Sequence, residues 1–457
     1  MFYGRKEEIK AINYLLDQDG FMSGIIYGRR RLGKTELLNH CFSNGKAKYI
    51  IYQCNQENEK SNIEDLVKAI KETLNIKNIY FEKFIDVIEF LFEYGIDNDL
   101  YFAIDEYPYI RKIISGIDSK IQRLIDNYQN KTKIKFFLLG SSIGTMEDVL
   151  SETNPLYRRF NLSILLKEMD YYDSANFYKD FSNEDKVKLY AAFGGVPFYN
   201  KQINPKLSVK ENIILLLSGQ FSHLLSEITT NIKEELTKIN NAYTVFSSIA
   251  LGAFHYSDIL SKTGITTSSS LYDTLEVLEK MDLIEYVFPI NDKKNRKKSG
   301  YILTDSATLF YYRYIYHNLT LKNMMDSDTF FDKYIKEDFN SVVVPKAFEK
   351  ISKQYLIRMN KQGKINPLIE DIGTYWYDNP KEKKNGQFDL VTKSNDGYIV
   401  YEVKFTNSKI DNHIINEEIE QISKTNLNPI NYGFISKSGF TIKDNKYIYI
   451  TLDDMYK

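Results

Sequence analysis

The chain has 457 residues, 43% hydrophobic and 26% charged, a composition that predicts a globular protein of about three domains. Its net charge of −1 excludes a strong global field for attracting nucleic acid, so any such role depends on local patches. Two isolated cysteines, and no signal peptide or apolar run of about 18 residues, argue against a disulfide framework, a structural zinc site or a membrane span, so we expect a cytoplasmic location.

A phosphate-binding loop is predicted near the start of the chain. Gly28, four intervening residues, Gly33, Lys34 and Thr35 match G-x-x-x-x-G-K-[ST] between a predicted strand and a predicted helix. Backbone N–H groups and the helix N-terminus favour a bound phosphate there. We expect Lys34 to reach the β- and γ-phosphates and Thr35 to ligate Mg²⁺. The alternative is a glycine-containing turn with a surface lysine. The predicted nucleotide-binding residues are Gly28, Arg29, Arg30, Arg31, Leu32, Gly33, Lys34, Thr35 and Glu36.

Two acids follow a later apolar run. Residues 100–104 predict a buried parallel strand, at whose carboxyl end Asp105 and Glu106 face the ligand. We expect Asp105 to hold Mg²⁺ through water, and Glu106 to polarise the attacking water as a catalytic residue together with Lys34. The alternative is a chance pair of acids after a strand.

The residues that precede the phosphate loop carry a family signal. Residues 2–9 resemble the F-x-G-R-x-x-E box of P-loop ATPases of the AAA+ and STAND type, where the box helps to hold adenine. In such ATPases a polar residue after the next strand, residues 133–139, senses the γ-phosphate. Ser141 and Ser142 are the candidates, or they form an ordinary Gly-Ser loop.

Several arginines have open roles. Arg158 and Arg159 follow a proline turn, where an arginine of related ATPases touches nucleotide in cis or from a neighbouring subunit; the alternative is a pair of surface arginines. The side chains of residues 29–31 are equally compatible with contacts to phosphate, a neighbour or DNA.

A helical lid is predicted next. Helices over 167–182 and 184–193 end at Gly194-Gly195-Val196-Pro197, and further helices follow over 212–225 and 231–239. The Gly-Gly-Val-Pro sequence resembles the GxP element of STAND and archaeal-type ATPases, in which the lid backs onto the nucleotide. The resemblance implies that Pro197 contacts nucleotide; the bare sequence predicts only a turn.

Three helices and a hairpin then predict a winged helix. The helices cover 242–251, 255–263 and 268–281, and the hairpin strands cover 283–288 and 300–303. Between the strands, residues 293–298 contain five cations among six residues, a pattern suited to DNA phosphate. The alternatives are a solvated turn, or a module that serves packing or oligomer formation.

A second set of carboxylates lies in the last third of the chain. Asn395-Asp396-Gly397 predicts a tight hairpin, with Asp389 on its first strand and Glu402 and Lys404 on one face of its second. An acid followed by Glu-x-Lys on the partner strand resembles the PD-(D/E)xK nucleases. The alternative is an exposed strand with alternating charges.

The resemblance to these nucleases implies roles for individual residues. Asp389 and Glu402 would bind Mg²⁺ and, with Lys404, form the catalytic set, while Glu349 and Gln421 match further positions. The chain departs from the family pattern in lacking the proline, and Gln387 stands where relatives often carry an acid. A nuclease-like fold does not by itself imply cleavage.

Together these motifs are similar to the prokaryotic, archaeal-type P-loop ATPase family with a C-terminal PD-(D/E)xK nuclease-like domain. The expected fold is α/β: a P-loop NTPase parallel sheet with a helical lid, a winged-helix domain and a C-terminal α/β restriction-endonuclease-like domain. The expected boundaries are 1–165, 166–240, 241–320 and 321–457.

The family resemblance implies a function as well as a fold. We expect ATP and Mg²⁺ as cofactors, and a nucleotide state that controls a Mg²⁺-dependent DNA nuclease-like domain. The alternative is a STAND-like switch or DNA-binding protein with an inactive C-terminal domain. Expected partners are ATP, DNA and a second copy of the chain, with no membrane.

Overall fold

The computed structural model describes residues 2–236, 241–379 and 384–457, with the backbone alone for 231–236, 379 and 384. The chain divides into two compact units, Met1–Glu168 with Lys280–Asp282 (the first unit) and Met169–Glu279 with Leu283–Lys457 (the second unit). Within those residues no helix combines the length and apolar character that a bilayer crossing requires. The predicted helix over 231–239 lies partly outside the described residues.

The first unit is built on a parallel sheet of five strands. These are β1 (Met22–Tyr27), β2 (Lys48–Gln53), β3 (Leu100–Asp105), β4 (Lys135–Gly140) and β5 (Leu162–Leu165), in the order β2-β3-β4-β1-β5. Every residue of β3 and β4 is buried, as expected for apolar strands covered on both faces. Because β4 pairs with both β1 and β3, the carboxyl ends of these three strands lie side by side.

Seven helices of the first unit connect and cover these strands. They are amphipathic where the sequence predicts it: α3 buries Ile63, Leu66, Ile70 and Leu74 at helical spacing. The helices are α1 (Lys6–Leu16), α2 (Lys34–Ser43), α3 (Glu59–Leu74), α4 (Phe84–Asp97), α5 (Tyr107–Ile113), α6 (Ile117–Tyr128) and α7 (Ile143–Val149).

The second unit begins with short helices where longer ones are predicted. The helix predicted over 167–182 is wrong: only α8 (Tyr171–Ser174) and a 3-10 turn (Ala175–Tyr178) form there, because Asp170 caps the backbone N–H of Asp173 and starts the helix late. The helix predicted over 212–225 is interrupted at Gly219, whose backbone is extended. The other helices here are α9 (Asn183–Phe193), α10 (Pro197–Asn200), α11 (Val209–Ile213) and α12 (His223–Leu236).

Three helices and an antiparallel hairpin follow, in the order that the sequence predicts. They are α13 (Ala242–Ala250), α14 (Tyr256–Thr263), α15 (Ser268–Lys280), β6 (Ile284–Val287) and β7 (Gly300–Leu303). Short helices continue the chain: α16 (Ser306–Phe310), α17 (Leu319–Met324), α18 (Ser327–Tyr334) and α19 (Lys336–Asp338).

The chain ends in a second, mixed sheet. Its elements are α20 (Val344–Lys361), β8 (Asp371–Asn379), β9 (Lys384–Ser394), β10 (Gly397–Lys404), α21 (Asn412–Ser423), β11 (Asn431–Ser436), β12 (Ile448–Thr451) and α22 (Leu452–Met455). The order is β12-β11-β10-β9-β8; β8, β9 and β10 pair antiparallel, whereas β10, β11 and β12 pair parallel. The predicted α/β class, with a P-loop NTPase sheet and a separate C-terminal sheet, is confirmed. The four domain boundaries stay predictions.

Candidate functional site

The loop between β1 and α2 depends on two glycines. Gly28 has φ 146°, and a Cβ there would lie 2.3 Å from the carbonyl oxygen of Leu166. Gly33 caps α2 with φ 83°, in the left-handed region that side chains disfavour. The loop therefore curls directly into the N-terminus of α2, where backbone N–H groups without helical partners favour an anion.

The lysine of the loop is held inside it. Lys34 is buried, and its Nζ donates to the carbonyl oxygens of Gly28 (2.9 Å) and Arg29 (3.0 Å). Carbonyl oxygens are weak partners for an ammonium group compared with phosphate oxygens, because the latter carry full charge. The position of Lys34 therefore fits a nucleotide phosphate in this loop.

Thr35 and Asp105 meet at the centre of the sheet edge. The Thr35 hydroxyl donates to Asp105 Oδ2 at 2.5 Å, and the Glu106 backbone N–H donates to Asp105 Oδ1 at 2.8 Å. Asp105 is 3% exposed, and this burial raises its pKa, while the hydrogen bond from Thr35 opposes the rise. A hydroxyl beside a buried carboxylate is a donor set that suits Mg²⁺ with its remaining waters.

The carboxylate of Glu106 accepts hydrogen bonds from a residue directly after β4, the strand that lies between β1 and β3 in the sheet. Ser141, directly after β4, donates to Glu106 Oε2 from its hydroxyl (2.7 Å) and its backbone N–H (3.2 Å). The hydroxyl of Ser142 instead shares a hydrogen bond of 2.8 Å with Thr145. Of the two serine candidates, Ser141 is thus the one that contacts the predicted catalytic acid.

The upstream box also contacts the loop. Arg5 is buried, has φ 60°, and its Nη2 donates to the carbonyl oxygen of Leu32 at 3.3 Å. Its Nη1 pairs with Glu8, the next turn of α1, at 3.3 Å. The arginine of the F-x-G-R-x-x-E box thus contacts the phosphate loop, and the acid of the box holds that arginine.

The other candidate arginines have partners within the first unit. Arg29 pairs with Glu168 at 3.5 Å, and Arg30 Nη2 donates to the Tyr109 hydroxyl at 2.7 Å. Arg159 pairs with Asp126 at 2.8 Å, whereas Arg158 is exposed. Arg31 and Glu36 are exposed on the loop and the first turn of α2.

The glycine pair of the predicted lid is a packing requirement. A Cβ at Gly195 would lie 1.9 Å from the carbonyl oxygen of Met169, and the Met169 N–H donates to Gly195 O at 2.9 Å. Pro197 is the first residue of α10, in the second unit. The backbone of Met169 therefore lies directly on this turn, which explains why no side chain fits at position 195.

One of the C-terminal carboxylates lies in a bulge of β9. Between the pairs Gly373–Val391 and Tyr375–Phe388, β8 has one residue and β9 has two, one of which is Asp389. Leu390 pairs with Tyr401, so the residues next to that pair on the two strands are Asp389 and Glu402. The two predicted metal ligands are therefore neighbours across the ladder.

Lys404 is shared by two carboxylates. Its Nζ lies 2.5 Å from Glu402 Oε1 and 3.4 Å from Oε1 of Glu418, on α21. Burial lowers the pKa of Lys404, but the hydrogen bonds and charges of Glu402 and Glu418 together outweigh that effect, and the pKa ends above its ordinary value. Sequence reasoning missed Glu418; its position three residues before Gln421, on the same helix face, was the available signal.

Glu349 on α20 completes this group of acids. Burial, and then the charge of Asp389, raise its pKa to about 7, with a smaller contribution from Glu402. Among the described residues, no three His, Cys, Asp or Glu side chains are arranged as a ready metal cluster. Mg²⁺ commonly takes one or two carboxylates plus waters and substrate phosphates, so Asp389 and Glu402 fit its needs.

The two glutamines considered with this site both donate side-chain hydrogen bonds. Gln387 Nε2 donates to Asp389 Oδ1 at 3.2 Å, so the residue that departs from the family pattern holds a predicted ligand. Gln421 Nε2 donates to the Tyr377 hydroxyl at 3.0 Å. Tyr377, on edge strand β8, is a second contact that the sequence did not indicate. The catalytic and ligand roles of all these residues stay predictions.

Known proteins match both ends of the chain. Residues 2–203 match a family described as an ATPase domain predominantly from Archaea, and residues 311–421 match one described as archaeal and bacterial proteins of unknown function. An uncharacterized protein of Methanocaldococcus jannaschii is 29% identical over 378 residues, 82% of each chain. A solved Walker-type ATPase of Pyrococcus abyssi shares the fold, with TM-score 0.53 and 18% identity over 68% of this chain and 96% of that one. Residues 2–203 thus form an ATPase domain of the archaeal type, and residues 311–421 match a family of unknown function.

Proposed function

We propose that the chain binds and hydrolyses ATP, and that its nucleotide state controls Mg²⁺-dependent DNA cleavage by the C-terminal domain. The observation that carries this proposal is a set of bonds between the lid helices and the C-terminal domain. Both lie in the second unit, so we infer that a lid that responds to nucleotide would move the C-terminal domain with it.

The first set of bonds joins α20 to the start of the lid. Arg358 Nη1 lies 2.8 Å from Asp170 Oδ2 and 3.5 Å from Asp173 Oδ1, and its guanidinium lies 4.1 Å from the Tyr172 ring centroid. Gln354 accepts from the Tyr171 backbone N–H at 3.0 Å. Charge, stacking and hydrogen bonding thus join α20 to α8 and its N-cap.

The second set joins the lid to the C-terminus of the chain. The Tyr171 hydroxyl donates to the carbonyl oxygen of Met455 at 2.5 Å, and the rings of Tyr171 and Tyr456 lie 5.2 Å apart. At the start of α9, Asn183 Nδ2 donates to Asp453 at 2.7 Å, and Glu184 pairs with Lys437 at 3.2 Å. The lid is therefore bonded to α20, at the start of the C-terminal domain, and to residues near the end of the chain.

The proposed ATP chemistry assigns one task to each residue of the first site. Lys34 and the loop N–H groups bind phosphate, and Ser141 orients the Glu106 carboxylate that polarises water. A bound Mg²⁺ would be held by Thr35 and Asp105 and would neutralise phosphate charge.

In the C-terminal site, Asp389 and Glu402 would hold Mg²⁺, which lowers the pKa of bound water and neutralises charge on a phosphodiester. Lys404 would supply a positive charge beside the reacting phosphate. The engagement of Lys404 by both Glu402 and Glu418 supports the alternative, a nucleotide-dependent switch whose C-terminal domain binds without cleaving.

Cleavage of single- and double-stranded DNA by the purified chain, with Mg²⁺ and with or without ATP, tests the proposal. We expect Asp389→Asn and Lys404→Ala to abolish cleavage, and Asp396→Asn, an exposed acid in the same hairpin, to leave it unchanged. Lys34→Ala should abolish both ATP hydrolysis and the effect of ATP on cleavage.

Three outcomes would contradict parts of this scheme. Cleavage that survives Asp389→Asn removes the proposed nuclease site, and ATP hydrolysis that survives Lys34→Ala removes the proposed ATPase site. ATP hydrolysis by a chain that cleaves no DNA under any condition leaves the switch as the function.

A further inference from the structure

The loop between β6 and β7 is part of the C-terminal sheet. We name residues 288–299 the hairpin loop. The Ile290 backbone N–H donates to Thr374 O at 2.8 Å, and the Asn291 side chain accepts from the Trp376 N–H (3.1 Å) and donates to its carbonyl oxygen (2.7 Å). Because β8 is an edge strand, the Asn291 amide covers backbone groups that another strand would otherwise pair. The hairpin loop therefore has a fixed place on this sheet.

A pocket of about 260 Å³ opens at the junction of the hairpin loop and β8. Its lining combines three consecutive aromatic residues of β8 with two amides and two carboxylates. The lining residues are Asn291, Asp292, Tyr375, Trp376, Tyr377, Asp378 and Asn426. Aromatic rings together with hydrogen-bonding amides and carboxylates are the chemistry that recognises an unstacked nucleobase.

The cations of the hairpin loop divide into two groups. Lys293 pairs with Asp371 at 2.7 Å, and Lys298 lies 4.6 Å from the Trp376 ring centroid, so both brace the junction. Lys294, Arg296 and Lys297 are exposed and have no carboxylate partner in the part of the chain that the structure describes. These three remain available for phosphates beside the pocket.

The pocket is connected to the carboxylate site by polar contacts. Tyr377 lines the pocket and accepts a hydrogen bond from Gln421 at 3.0 Å. Gln421 lies one helical turn after Glu418, which lies 3.4 Å from Lys404. Gln421 and Glu418, on one face of α21, thus contact the pocket and the carboxylate site respectively.

We propose that the hairpin loop and β8 bind a single strand of nucleic acid, with one base in the pocket and its flanking phosphates on Lys294, Arg296 and Lys297. Bases in a duplex are paired and stacked, so they reach such a pocket only by extrusion, whereas those of a single strand reach it directly. The inference rests on the proposed function for the cleavage step after binding, and it names the substrate class as single-stranded.

The only tryptophan of the chain, Trp376, lines this pocket, so its emission reports the base directly. The full chain is titrated in EDTA, without ATP, with a strand of about twenty thymidines, an abasic strand of equal length, and a duplex. We expect saturable quenching by the thymidine strand and by the corresponding uridine strand, and none by the abasic strand or the duplex. Equal quenching by the abasic strand, or unchanged emission with every strand, overturns the proposal.

A charge-reversal variant tests the phosphate contacts. Lys294→Glu, Arg296→Glu and Lys297→Glu together should raise the half-quenching concentration at least about tenfold and reduce the salt slope by about 2, since each single-strand contact contributes about 0.7. The matched control reverses three exposed lysines of the first unit, Lys68, Lys71 and Lys77. A control that weakens binding equally overturns the assigned surface.

The EDTA condition separates this inference from the proposed function. Quenching by the thymidine strand in a chain that never cleaves would leave the binding surface intact and remove the nuclease proposal. Cleavage of DNA by a chain whose Trp376 emission never changes would do the reverse.

Discussion

The half-buried acid Glu349 gives the second unit a pH dependence that one substitution removes. Its pKa of about 7 in the folded chain exceeds the ordinary value of 4.5, because the carboxyl is buried beside Asp389 and Glu402. Between these two pH values the folded chain therefore binds more protons than the unfolded chain, and stability falls as pH rises. The difference between the two pKa values corresponds to a loss of about 3 kcal/mol in the free energy of unfolding above pH 7.

Glu349→Gln keeps the shape of the side chain and abolishes its titration. The stability of the variant relative to the wild type should therefore rise with pH. The gap in unfolding free energy between the two proteins should grow by about 3 kcal/mol between pH 4.5 and about pH 8. Urea unfolding in EDTA, followed by the emission of Trp376, measures this gap for the second unit. Glu337→Gln, an exposed acid on α19, is the control and should leave the pH profile unchanged.

The same unfolding measurement with added Mg²⁺ tests the proposed metal site. A cation held by Asp389 and Glu402 would offset their charge and favour ionised Glu349, so Mg²⁺ should stabilise the wild type at pH 8. A gap that is the same at every pH would show that Glu349 titrates normally, and the reasoning from its burial would fail.

Three further substitutions have definite expected outcomes. Arg358→Met, which keeps the apolar stem but loses the pair with Asp170, should weaken urea resistance of the second unit by about 1–2 kcal/mol and reduce the effect of ATP on DNA cleavage. Gly195→Ala should lower the free energy of unfolding by at least about 2 kcal/mol, measured in urea, because its Cβ meets a backbone oxygen. Ser141→Ala should lower kcat for ATP hydrolysis about tenfold with an unchanged nucleotide Kd, by steady-state assay and labelled-nucleotide titration, since Glu106 loses one donor.

The first unit could be predicted closely from its sequence because its motifs are local. Gly28, Gly33 and Lys34 lie within one loop, and the apolar run before Asp105 specifies a buried strand. Parallel strands bring their carboxyl ends to one edge, which places Thr35 beside Asp105 without any further information.

The sequence alone did not distinguish Ser141 from Ser142. Their difference arises from the direction in which the chain leaves β4, which is a tertiary property. The helix predicted over 167–182 begins only at Tyr171, because the side chain of Asp170 caps the backbone N–H of Asp173, a detail that helical periodicity does not encode.

The C-terminal site shows the same limit more strongly. Strand alternation placed Glu402 and Lys404 on one face, and the hairpin turn placed Asp389 opposite. Glu418 and Tyr377 come from a helix and an edge strand whose packing no local pattern encodes. The docking of the hairpin loop on β8 is likewise long-range, so its cations resembled a solvated turn.

Three consecutive residues offer a short route for the proposed control. Glu168 pairs with Arg29 of the phosphate loop, the Met169 N–H bonds to Gly195 of the lid turn, and Asp170 pairs with Arg358 of α20. The first contact lies within the first unit and the other two within the second, so the peptide backbone itself carries the connection. A phosphate that draws Arg29 away from Glu168 would change the restraint on the residue next to the lid turn. Nucleotide control of the C-terminal domain would then need no long path of side chains, because bonds to the loop, the lid and α20 begin on neighbouring residues.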